Sequence, residues 1–342
     1  MKNLVLCNIP WYSGLSHYAL DVAKALLEEK EDVFWALEPD TVLWRKVSET
    51  PIIKISQTNR KSFNFIKNLS LIKKVLPEPD RIFAFTGQGL FLGYLLKRKH
   101  KSKLYRFRTE SYDIKKNIFN RYLYKSCDFV FAGNKKIALE IEKLGVERVE
   151  VLYGGVDTEK FVFSPIPEEK RIGYVGRLGF VKGIDVLWEA MNKVWEKIPD
   201  LKLAIAGGDT KQYQWENIKE NFKGPVEYFG KISEEDVPSF MKECLFGVIP
   251  STGSEATSRV LLEWWATGRG VVASCVGMIG EVAEDGKDSF LVEPKNPHKL
   301  SEKILLSFSD QKLISFFSHN ARSKVEKEFS LKIFKQRLFE RI

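Results

Sequence analysis

Short apolar runs of strand length alternate with longer amphipathic segments along the whole chain, and this alternation limits the fold more than any other feature. In the segment after the first run, Tyr18, Val22 and Leu26 recur at helical spacing. Strands joined by helices pair in parallel, and helices then cover both faces of the sheet. The pattern predicts an α/β protein with two doubly wound domains that face each other across a cleft. The runs lie at 3–8, 32–36, 81–85, 104–108, 129–132, 149–153, 171–175, 201–206, 226–229, 244–249, 271–274 and 290–292.

Length and turn residues indicate where the two domains meet. A chain of 342 residues is too long for one typical hydrophobic core and suits two. Prolines at 165 and 167 mark a linker soon after Gly154 and Gly155. We therefore expect an N-terminal Rossmann-like domain over 1–163 and a C-terminal one over 164–328. Residues 329–342 are expected to form a last helix that packs back on the N-terminal domain.

Positive charge is concentrated in the first half of the chain. Residues 1–160 hold 28 Lys and Arg against 19 Asp and Glu, whereas 161–342 hold 26 of each, so the net charge of +9 arises before residue 161. Within that half, residues 51–136 hold 20 basic and 5 acidic residues. Such a field favours an anionic partner, which can be a phospholipid surface, a polyanion or nucleic acid.

A basic amphipathic helix is predicted at 60–76 within this region. Two interpretations stay open for it: the helix packs on its own sheet with a solvated basic face, or it faces an anionic membrane. Its apolar residues at helical spacing are Phe65, Leu69, Ile72 and Leu76, and the lysines around them are Lys61, Lys67, Lys73 and Lys74.

Cysteine usage and hydropathy indicate the compartment. Cys7, Cys127, Cys244 and Cys275 form neither a CxxC pair nor a cluster with His, so we expect buried free thiols in a reducing compartment. The apolar residues 4–6 are too few for the apolar core of a secretory signal, and no uncharged run is long enough to span a bilayer. We expect a cytoplasmic protein that can meet a membrane at its inner face.

Two carboxylates stand eight residues apart in the segment 250–268. Glu255 lies in the loop after the apolar run 244–249, and Glu263 lies about two turns further on, in a helix that ends at Gly268. Because a helical side chain leans towards the N-terminus of its helix, both carboxylates can reach one polar ligand. A solvated pair of surface glutamates is the alternative when the pair is taken alone.

The N-terminus of this helix suits a phosphate group. Thr257 or Ser258 can cap the helix, and the amides of Thr257, Ser258 and Arg259 lack acceptors within it. Together with the helix dipole, these amides favour an anion. One ligand carrying hydroxyls and phosphate would satisfy the carboxylates and the amides together.

A pair of cations follows the first strand of the second domain. The segment 176–183 presents Arg177 and Lys182 at the carboxyl end of that strand, the edge where open α/β sheets bind ligands. A planar guanidinium beside a mobile ammonium suits the oxygens of a diphosphate. Taken alone, this segment is also compatible with a solvated basic loop.

Polar residues in the first domain lie at corresponding places. Gly14 stands between the first strand and the first helix, where a glycine serves a phosphate contact or a plain tight turn. Arg108 and Glu110 lie just past another strand, at the ligand-binding edge. His17 lies within the first helix, which favours a structural role for it.

The ordered set of these segments resembles the GT-B-fold retaining glycosyltransferases of glycosyltransferase family 4 over nearly the whole chain. Departures from the family pattern occur at 256–258, where glycines are common, at 264–265, where two tryptophans replace smaller residues, and at 108–110, where many relatives carry a histidine. The landmarks that match are Gly14, 151–157, 176–178, 182–183, 206–208, the spacing of Glu255 and Glu263, and 277–286 with Glu281.

This resemblance implies a hexosyltransferase that moves a sugar from a nucleotide sugar, a UDP- or GDP-sugar, to an acceptor hydroxyl with retention of anomeric configuration. It implies no metal and no other cofactor. Arg177 and Lys182 would hold the diphosphate, Glu263 would accept the ribose hydroxyls, and Glu255 would stabilise positive charge on the transferred sugar. Further donor-binding candidates are Gly14, Gly207, Thr257, Ser258 and Arg259, and the acceptor-side candidates are Arg108, Glu110 and His17.

Two alternatives stay open at the level of sequence. A nucleotide-sugar epimerase shares the fold, so fold alone does not separate the two activities. A non-enzymatic binder of polyanions or membrane surfaces would explain the basic first half. That half lacks RNA-recognition motifs and zinc fingers, so no nucleic-acid partner is expected. We expect instead an anionic or lipid-linked acceptor on a membrane surface.

Overall fold

In the computed structural model the chain forms two compact units. The first comprises Met1–Gly154 and Phe334–Ile342, and the second comprises Gly155–Ile333. Each unit is built around its own parallel sheet. The structure describes residues 1–9, 13–56, 63–98, 100–109, 114, 117–253, 255–309 and 311–342.

The first unit contains a seven-stranded sheet in which every pairing is parallel. Its strands are β1 (Lys2–Leu6), β2 (Asp32–Leu37), β3 (Ile52–Lys54), β4 (Arg81–Ala84), β5 (Lys103–Arg108), β6 (Phe129–Ala132) and β7 (Val149–Val151). They are arranged in the order β3-β2-β1-β4-β5-β6-β7. The helices between them are α1 (Gly14–Glu28), α2 (Val42–Lys46), α3 (Phe63–Val75), α4 (Gly87–Lys97), α5 (Ile118–Lys125) and α6 (Lys135–Glu142).

Aromatic side chains fill the core of the first unit. The Phe107 ring stacks on Phe85 and Phe131, with centroids 4.6 and 4.7 Å apart. Phe83 and Trp35 are fully buried in the same apolar cluster. Central parallel strands bury both faces, which is why their sequences read as continuous apolar runs.

The last helix, α14 (Leu331–Phe339), contributes to this core. Its Phe334 and Leu338 are buried in the apolar cluster of the first unit, where the Phe334 ring meets Tyr18 edge-on at 5.4 Å. Lys335 also pairs with Glu28 of α1 at 3.1 Å. The chain therefore rejoins its N-terminal unit from Phe334 onward, slightly later than the predicted residue 329.

The second unit contains a six-stranded parallel sheet. Its strands are β8 (Arg171–Val175), β9 (Lys202–Ala206), β10 (Val226–Gly230), β11 (Gly247–Ile249), β12 (Val271–Ser274) and β13 (Ser289–Val292), in the order β10-β9-β8-β11-β12-β13. Its helices are α7 (Ile184–Trp195), α8 (Trp215–Ile218), α9 (Val237–Lys242), α10 (Arg259–Ala266), α11 (Ile279–Val282), α12 (Pro297–Ser309) and α13 (Gln311–Lys324). The predicted class, two doubly wound α/β domains, is confirmed.

The boundary between the units lies after Gly154, earlier than the predicted residue 163. Within the second unit, Arg322 donates a hydrogen bond to the Phe161 carbonyl at 2.8 Å, and the Phe163 ring lies 5.6 Å from the His319 ring. These contacts join residues that are far apart along the chain, so the local pattern of glycines and prolines does not indicate them.

A buried arginine ties the following segment to the same unit. Arg269 is fully buried and donates to the carbonyls of Cys244, Ser164 and Pro165 at 2.7, 2.8 and 2.8 Å. Burial lowers the pKa of its guanidinium to about 10, which leaves it charged at neutral pH. Its other hydrogen bonds go to the Ser164 hydroxyl and to the carbonyls of Lys242, Thr267 and Gly268.

The structure differs from the expectations in two short elements and in two cysteines. The sequence pattern predicts neither β3 nor α2, because segments of three and five residues are too short to show a period. Cys7 and Cys244 are buried free thiols, as expected. Cys275, however, is exposed and Cys127 is only partly buried, because Cys275 follows the end of β12 instead of lying within a strand.

We expect Arg269→Met to destabilise the second unit by about 3–5 kcal/mol, because several buried carbonyls then lose their donor. Thermal unfolding should show a melting temperature lower by at least about 6 °C. The matched control is Arg341→Met, which removes an exposed ion pair with Glu150 and should leave the melting temperature nearly unchanged. Equal losses in the two variants would contradict a stabilising role for Arg269.

Candidate active site

Three loops of the second unit begin at the carboxyl edge of its sheet. β8 lies between β9 and β11, and because the three strands run parallel, the loops that follow them leave on the same side. The loops are 176–183 after β8, 207–214 after β9 and 250–258 after β11. Most of the donor-side candidates lie on these loops.

Close backbone approach explains two glycines in these loops. Gly183 has a φ of +69°, and a Cβ there would lie 1.9 Å from the Pro250 carbonyl oxygen. A Cβ at Gly207 would lie 1.8 Å from the Gly176 carbonyl oxygen. Only glycine fits at such separations, so the two residues allow the β8 loop to pack between its neighbours.

Main-chain hydrogen bonds hold the loops together. The Leu178 amide donates to the Gly208 carbonyl at 3.0 Å, and the Thr252 amide donates to the Val181 carbonyl at 3.0 Å. The position of Lys182 is therefore fixed by bonds on both sides of the β8 loop.

A lysine and a serine converge on the first carboxylate. The Lys182 Nζ lies 2.5 Å from Glu255 Oε1, and the Ser251 hydroxyl donates to the same oxygen at 2.6 Å. The Glu255 side chain is 3% exposed, whereas the Lys182 side chain is 33% exposed. A buried carboxylate with a charged partner and a hydroxyl donor is held in one orientation, and the ammonium still reaches solvent.

The main chain at Glu255 is also fixed from the β12 side. The Met278 amide donates to the Glu255 carbonyl at 2.8 Å. Gly277 has a φ of +53°, and a Cβ there would lie 2.6 Å from the same carbonyl oxygen. The glycine landmark at 277–286 thus supports the loop that carries Glu255.

Helix α10 begins at Arg259 with Ser258 as its N-cap residue, and Thr257 is half-buried beside it. Ser258 is buried, and its hydroxyl has no hydrogen-bond partner among the residues that the structure describes. Such a hydroxyl, next to first-turn amides, leaves hydrogen-bonding capacity for a ligand.

The second carboxylate has a different environment. Glu263 is half-buried on α10, and Arg259 NH2 approaches its Oε1 at 3.5 Å. Burial raises the pKa of Glu263 above its ordinary value, and the positive charge of Arg259 opposes that shift. The longer contact leaves Glu263 less constrained than Glu255.

Arg177 lies at the exposed rim of the site. Its carbonyl accepts a hydrogen bond from the Tyr174 hydroxyl at 2.9 Å, which anchors the backbone while the guanidinium reaches solvent. Burial raises the pKa of Tyr174, so this hydroxyl keeps its proton at neutral pH.

The candidates from the first half of the chain belong to the other unit. Gly14 and His17 lie in the first turn of α1, and Arg108 ends β5, so all three lie at the carboxyl edge of the first sheet. Gly14 is thus not part of the cluster in the second unit that holds the other donor-side candidates. Glu110 lies outside the described residues.

Ser251 is a site residue that the sequence reasoning misses. It is 1% exposed and follows Pro250 directly after β11. The signal that could have identified it is a hydroxyl residue at the carboxyl end of a buried strand, four residues before a candidate carboxylate.

The arrangement offers cations, helix amides and two carboxylates with different partners. Within the described ranges, no group of three or more His, Cys, Asp or Glu side chains could hold a metal ion. No helix in that part of the chain combines the length and the apolar character needed to cross a membrane.

Two doubly wound parallel sheets, with cations and a glutamate pair at the carboxyl edge of one of them, are typical of GT-B glycosyltransferases. Residues 155–324 match the family described as glycosyl transferases group 1. This match and the relatives below support a GT-B glycosyltransferase of the family 4-like group, and the predicted glycosyltransferase class is confirmed.

Individual proteins extend the likeness. The uncharacterized glycosyltransferase MJ1178 of Methanocaldococcus jannaschii is 27% identical over 338 residues, which cover 94% of this chain and 91% of that protein. The phosphatidyl-myo-inositol mannosyltransferase of Mycobacterium tuberculosis is 31% identical over 173 residues, covering 48% of this chain and 45% of that protein. The crystal structure of Anabaena Alr3699/HepE in complex with UDP and glucose has a TM-score of 0.84 at 20% identity, covering 99% and 98% of the two chains.

We expect Gly183→Ala to destabilise the second unit more than Gly230→Ala. Both glycines have positive φ, +69° and +63°, so both variants carry a strain of about 1–2 kcal/mol. Only at Gly183 does the new Cβ also meet a carbonyl oxygen, that of Pro250, whereas nothing lies within 4 Å at Gly230. Thermal unfolding measures the difference, and equal melting temperatures would show that the loop contact does not constrain the site.

Proposed function

We propose that the protein transfers a hexosyl group from a nucleoside diphosphate sugar to an acceptor hydroxyl, with retention of anomeric configuration and without a metal ion. The observation that carries this proposal is the 2.5 Å contact between Lys182 Nζ and the buried Glu255. A cation for a diphosphate and a carboxylate for a positively charged sugar thereby share one edge of one sheet. Retention is based on the resemblance to family 4.

The charge that develops during transfer accounts for the residue types. The bond between the anomeric carbon and the diphosphate oxygen breaks, and a bond from the anomeric carbon to the acceptor oxygen forms. The acceptor proton leaves to the departing diphosphate or to solvent. Negative charge grows on the diphosphate, where Arg177 and Lys182 would stabilise it, and positive charge grows on the sugar ring, where Glu255 would. Ser251 would hold the Glu255 carboxylate in position.

Positive charge from the protein would neutralise the leaving diphosphate, a function that a metal ion serves in metal-dependent transferases. The guanidinium of Arg177, the ammonium of Lys182 and the first-turn amides of α10 can together balance a departing diphosphate. The Ser258 hydroxyl has no partner among the described residues and would donate a hydrogen bond to the diphosphate at the same helix end. This is why we propose a reaction that needs no divalent cation.

Glu263 would accept the ribose hydroxyls of the donor. Its side chain on α10 is 16% exposed, so it can contact a ligand group, and ribose contacts are the same before and during the transfer. Substitution of Glu263 should therefore lower the affinity for the nucleotide, whereas substitution of Glu255 should lower the turnover rate.

For the donor we propose a UDP- or GDP-hexose. The Anabaena protein described above is a complex with UDP and glucose, and the mycobacterial relative is named a mannosyltransferase. For the acceptor we propose an anionic or lipid-linked compound at the inner face of the membrane. The name of the same relative and the 20 basic residues against 5 acidic ones at 51–136 support it.

We expect Arg177→Ala and Lys182→Ala each to lower turnover at least about 100-fold, because a lost contact to the leaving group is worth roughly 3 kcal/mol. The donor is first identified by thermal shift with UDP, GDP, ADP and dTDP sugars, and release of the nucleoside diphosphate is then measured. The control Lys197→Ala changes an exposed lysine of the second unit and should keep the parent rate. Near-parent rates in both test variants would refute the diphosphate contacts.

Loss of parent activity in excess chelator, restored by magnesium or manganese, would refute metal independence.

We expect Glu263→Ala to weaken nucleoside diphosphate binding and Glu255→Ala mainly to reduce turnover. Because burial raises the pKa of Glu263, its carboxylate is protonated at a higher pH than that of an ordinary Glu. As the pH is lowered, the affinity of the parent for the nucleoside diphosphate should therefore fall towards that of Glu263→Gln. The Glu263→Gln variant serves as the reference at each pH, because protonation of the nucleotide itself affects both proteins equally. Isothermal titration at several pH values measures both effects. Equal nucleotide affinity in the parent and Glu263→Ala would exclude the ribose contact.

A further inference from the structure

The outer side of three consecutive helices in the first unit exposes apolar side chains. On α5, Ile118, Phe119 and Tyr122 are 89%, 54% and 57% exposed, and on α3, Ile66 is 71% exposed. We call these four residues, with the half-buried Phe91 of α4, the apolar face. Single exposed apolar residues are common on soluble proteins, whereas neighbouring ones mark an interaction site.

Ring contacts join the three helices into one surface. The Phe91 ring lies 5.2 Å from Phe65 of α3 and 5.6 Å from Phe119 of α5. The rings of Tyr94 and Tyr122 lie 5.5 Å apart, and their hydroxyls are 3.1 Å apart. These contacts join α3, α4 and α5 side by side, and Ile66 directly follows Phe65 on α3.

Ile66 lies outside the stripe that packs α3 on its own domain. Ile72 and Leu76 are buried, and the buried Asn68 bonds both main-chain groups of Ser56 at 2.9 Å. The stripe predicted for residues 60–76 therefore faces its own unit. Ile66 projects elsewhere, so the core of the first unit does not account for its apolar side chain.

The charged side chains on these three helices are of one sign. α3, α4 and α5 together contain six Lys or Arg and no Asp or Glu, although Lys97 pairs with Asp128 just before β6 at 2.6 Å. Arg98, directly after α4, is also exposed, and its guanidinium lies 5.9 Å from the Tyr94 ring centroid. The six residues are Lys67, Lys73, Lys74, Lys97, Arg121 and Lys125.

We infer that the apolar face docks on the surface of an anionic lipid bilayer. Aromatic and branched side chains enter the boundary between headgroups and acyl chains, while basic side chains stay with the anionic headgroups. Helices without carboxylates meet no repulsion from such a surface, and their attraction to it extends about 10 Å at 0.1 M salt. The inference deepens the proposed function, on which it rests for a lipid-linked acceptor, by naming the surface that brings the enzyme to that acceptor.

The test is co-sedimentation of the full chain with vesicles of phosphatidylcholine alone or of phosphatidylcholine mixed equally with phosphatidylglycerol. We expect the parent to bind the mixed vesicles, and to bind them less at roughly 1 M than at roughly 0.1 M salt, because the Debye length falls from about 10 Å to about 3 Å. Absence of binding to mixed vesicles, or equal binding to both compositions, would overturn the inference.

Paired variants distinguish binding through this surface from non-specific adsorption of the protein to vesicles. Ile118→Ser with Phe119→Ser should lower the partition coefficient on mixed vesicles at least about tenfold, and Lys67→Gln with Lys74→Gln about tenfold. The controls are Leu139→Ser with Leu306→Ser, which remove exposed apolar residues elsewhere, and Lys197→Gln with Lys211→Gln, which remove exposed lysines of the second unit. Both controls should bind like the parent. Binding lowered equally by test and control variants would overturn the assignment to this face.

A second measurement keeps the result independent of the catalytic proposal. Thermal unfolding and nucleoside diphosphate binding should be unchanged in the Ile118→Ser, Phe119→Ser variant. Both residues belong to the first unit, whereas Arg177, Lys182 and Glu263, which we propose to bind the nucleotide, belong to the second. Loss of vesicle binding with intact nucleotide binding would support the membrane surface. Parent-like vesicle binding by this variant would refute it, whatever the nucleotide results show.

Discussion

Parallel pairing of β8 with both β9 and β11 is the constraint on which the candidate site depends. It forces the loops after all three strands to leave the sheet on one side, so residues distant in sequence converge there. The contact between Lys182 and Glu255, which are 73 positions apart, is a direct product of that convergence. Gly183 and Gly207 then permit separations that no side chain would allow.

Helix α10 lies against this sheet through packing that suits this chain in particular. Trp264 is fully buried, and a Cβ added at Gly173 or at Gly247 would lie 2.5 Å from its indole ring. The large side chain that departs from the family pattern is thus accommodated by glycines in β8 and β11. The tryptophan belongs to the core, and its packing holds the helix that carries Glu263.

The two units divide their charges differently, and this division fits two tasks. In the second unit, two buried carboxylates are each held by a lysine: Glu255 by Lys182 at 2.5 Å and Asp288 by Lys324 at 2.6 Å. In the first unit, basic residues surround exposed apolar ones on α3 to α5. Charge held by a partner suits the proposed contact with a small anion, whereas exposed charge suits the proposed attraction to an extended surface.

The sequence by itself determined the fold class, the alternation of strands and helices, and the loops that carry Arg177, Lys182 and Glu255. It also placed Glu263 on the helix that follows the last of these loops. Those properties follow from periodicity and from residue chemistry within a few positions, which the linear sequence contains. Short segments such as β3 were missed because they are too brief to show a period.

Only the tertiary structure decided which of these residues meet. It showed that Ser251 bonds Glu255, that the unit boundary lies after Gly154, and that Ile118 is exposed whereas Ile72 is buried. Each depends on contacts between segments far apart along the chain, or on which face of a helix the sheet covers. A local pattern contains no information about either. An amphipathic stripe specifies that one face of a helix will be buried, but it does not specify which other segments contact the remaining faces.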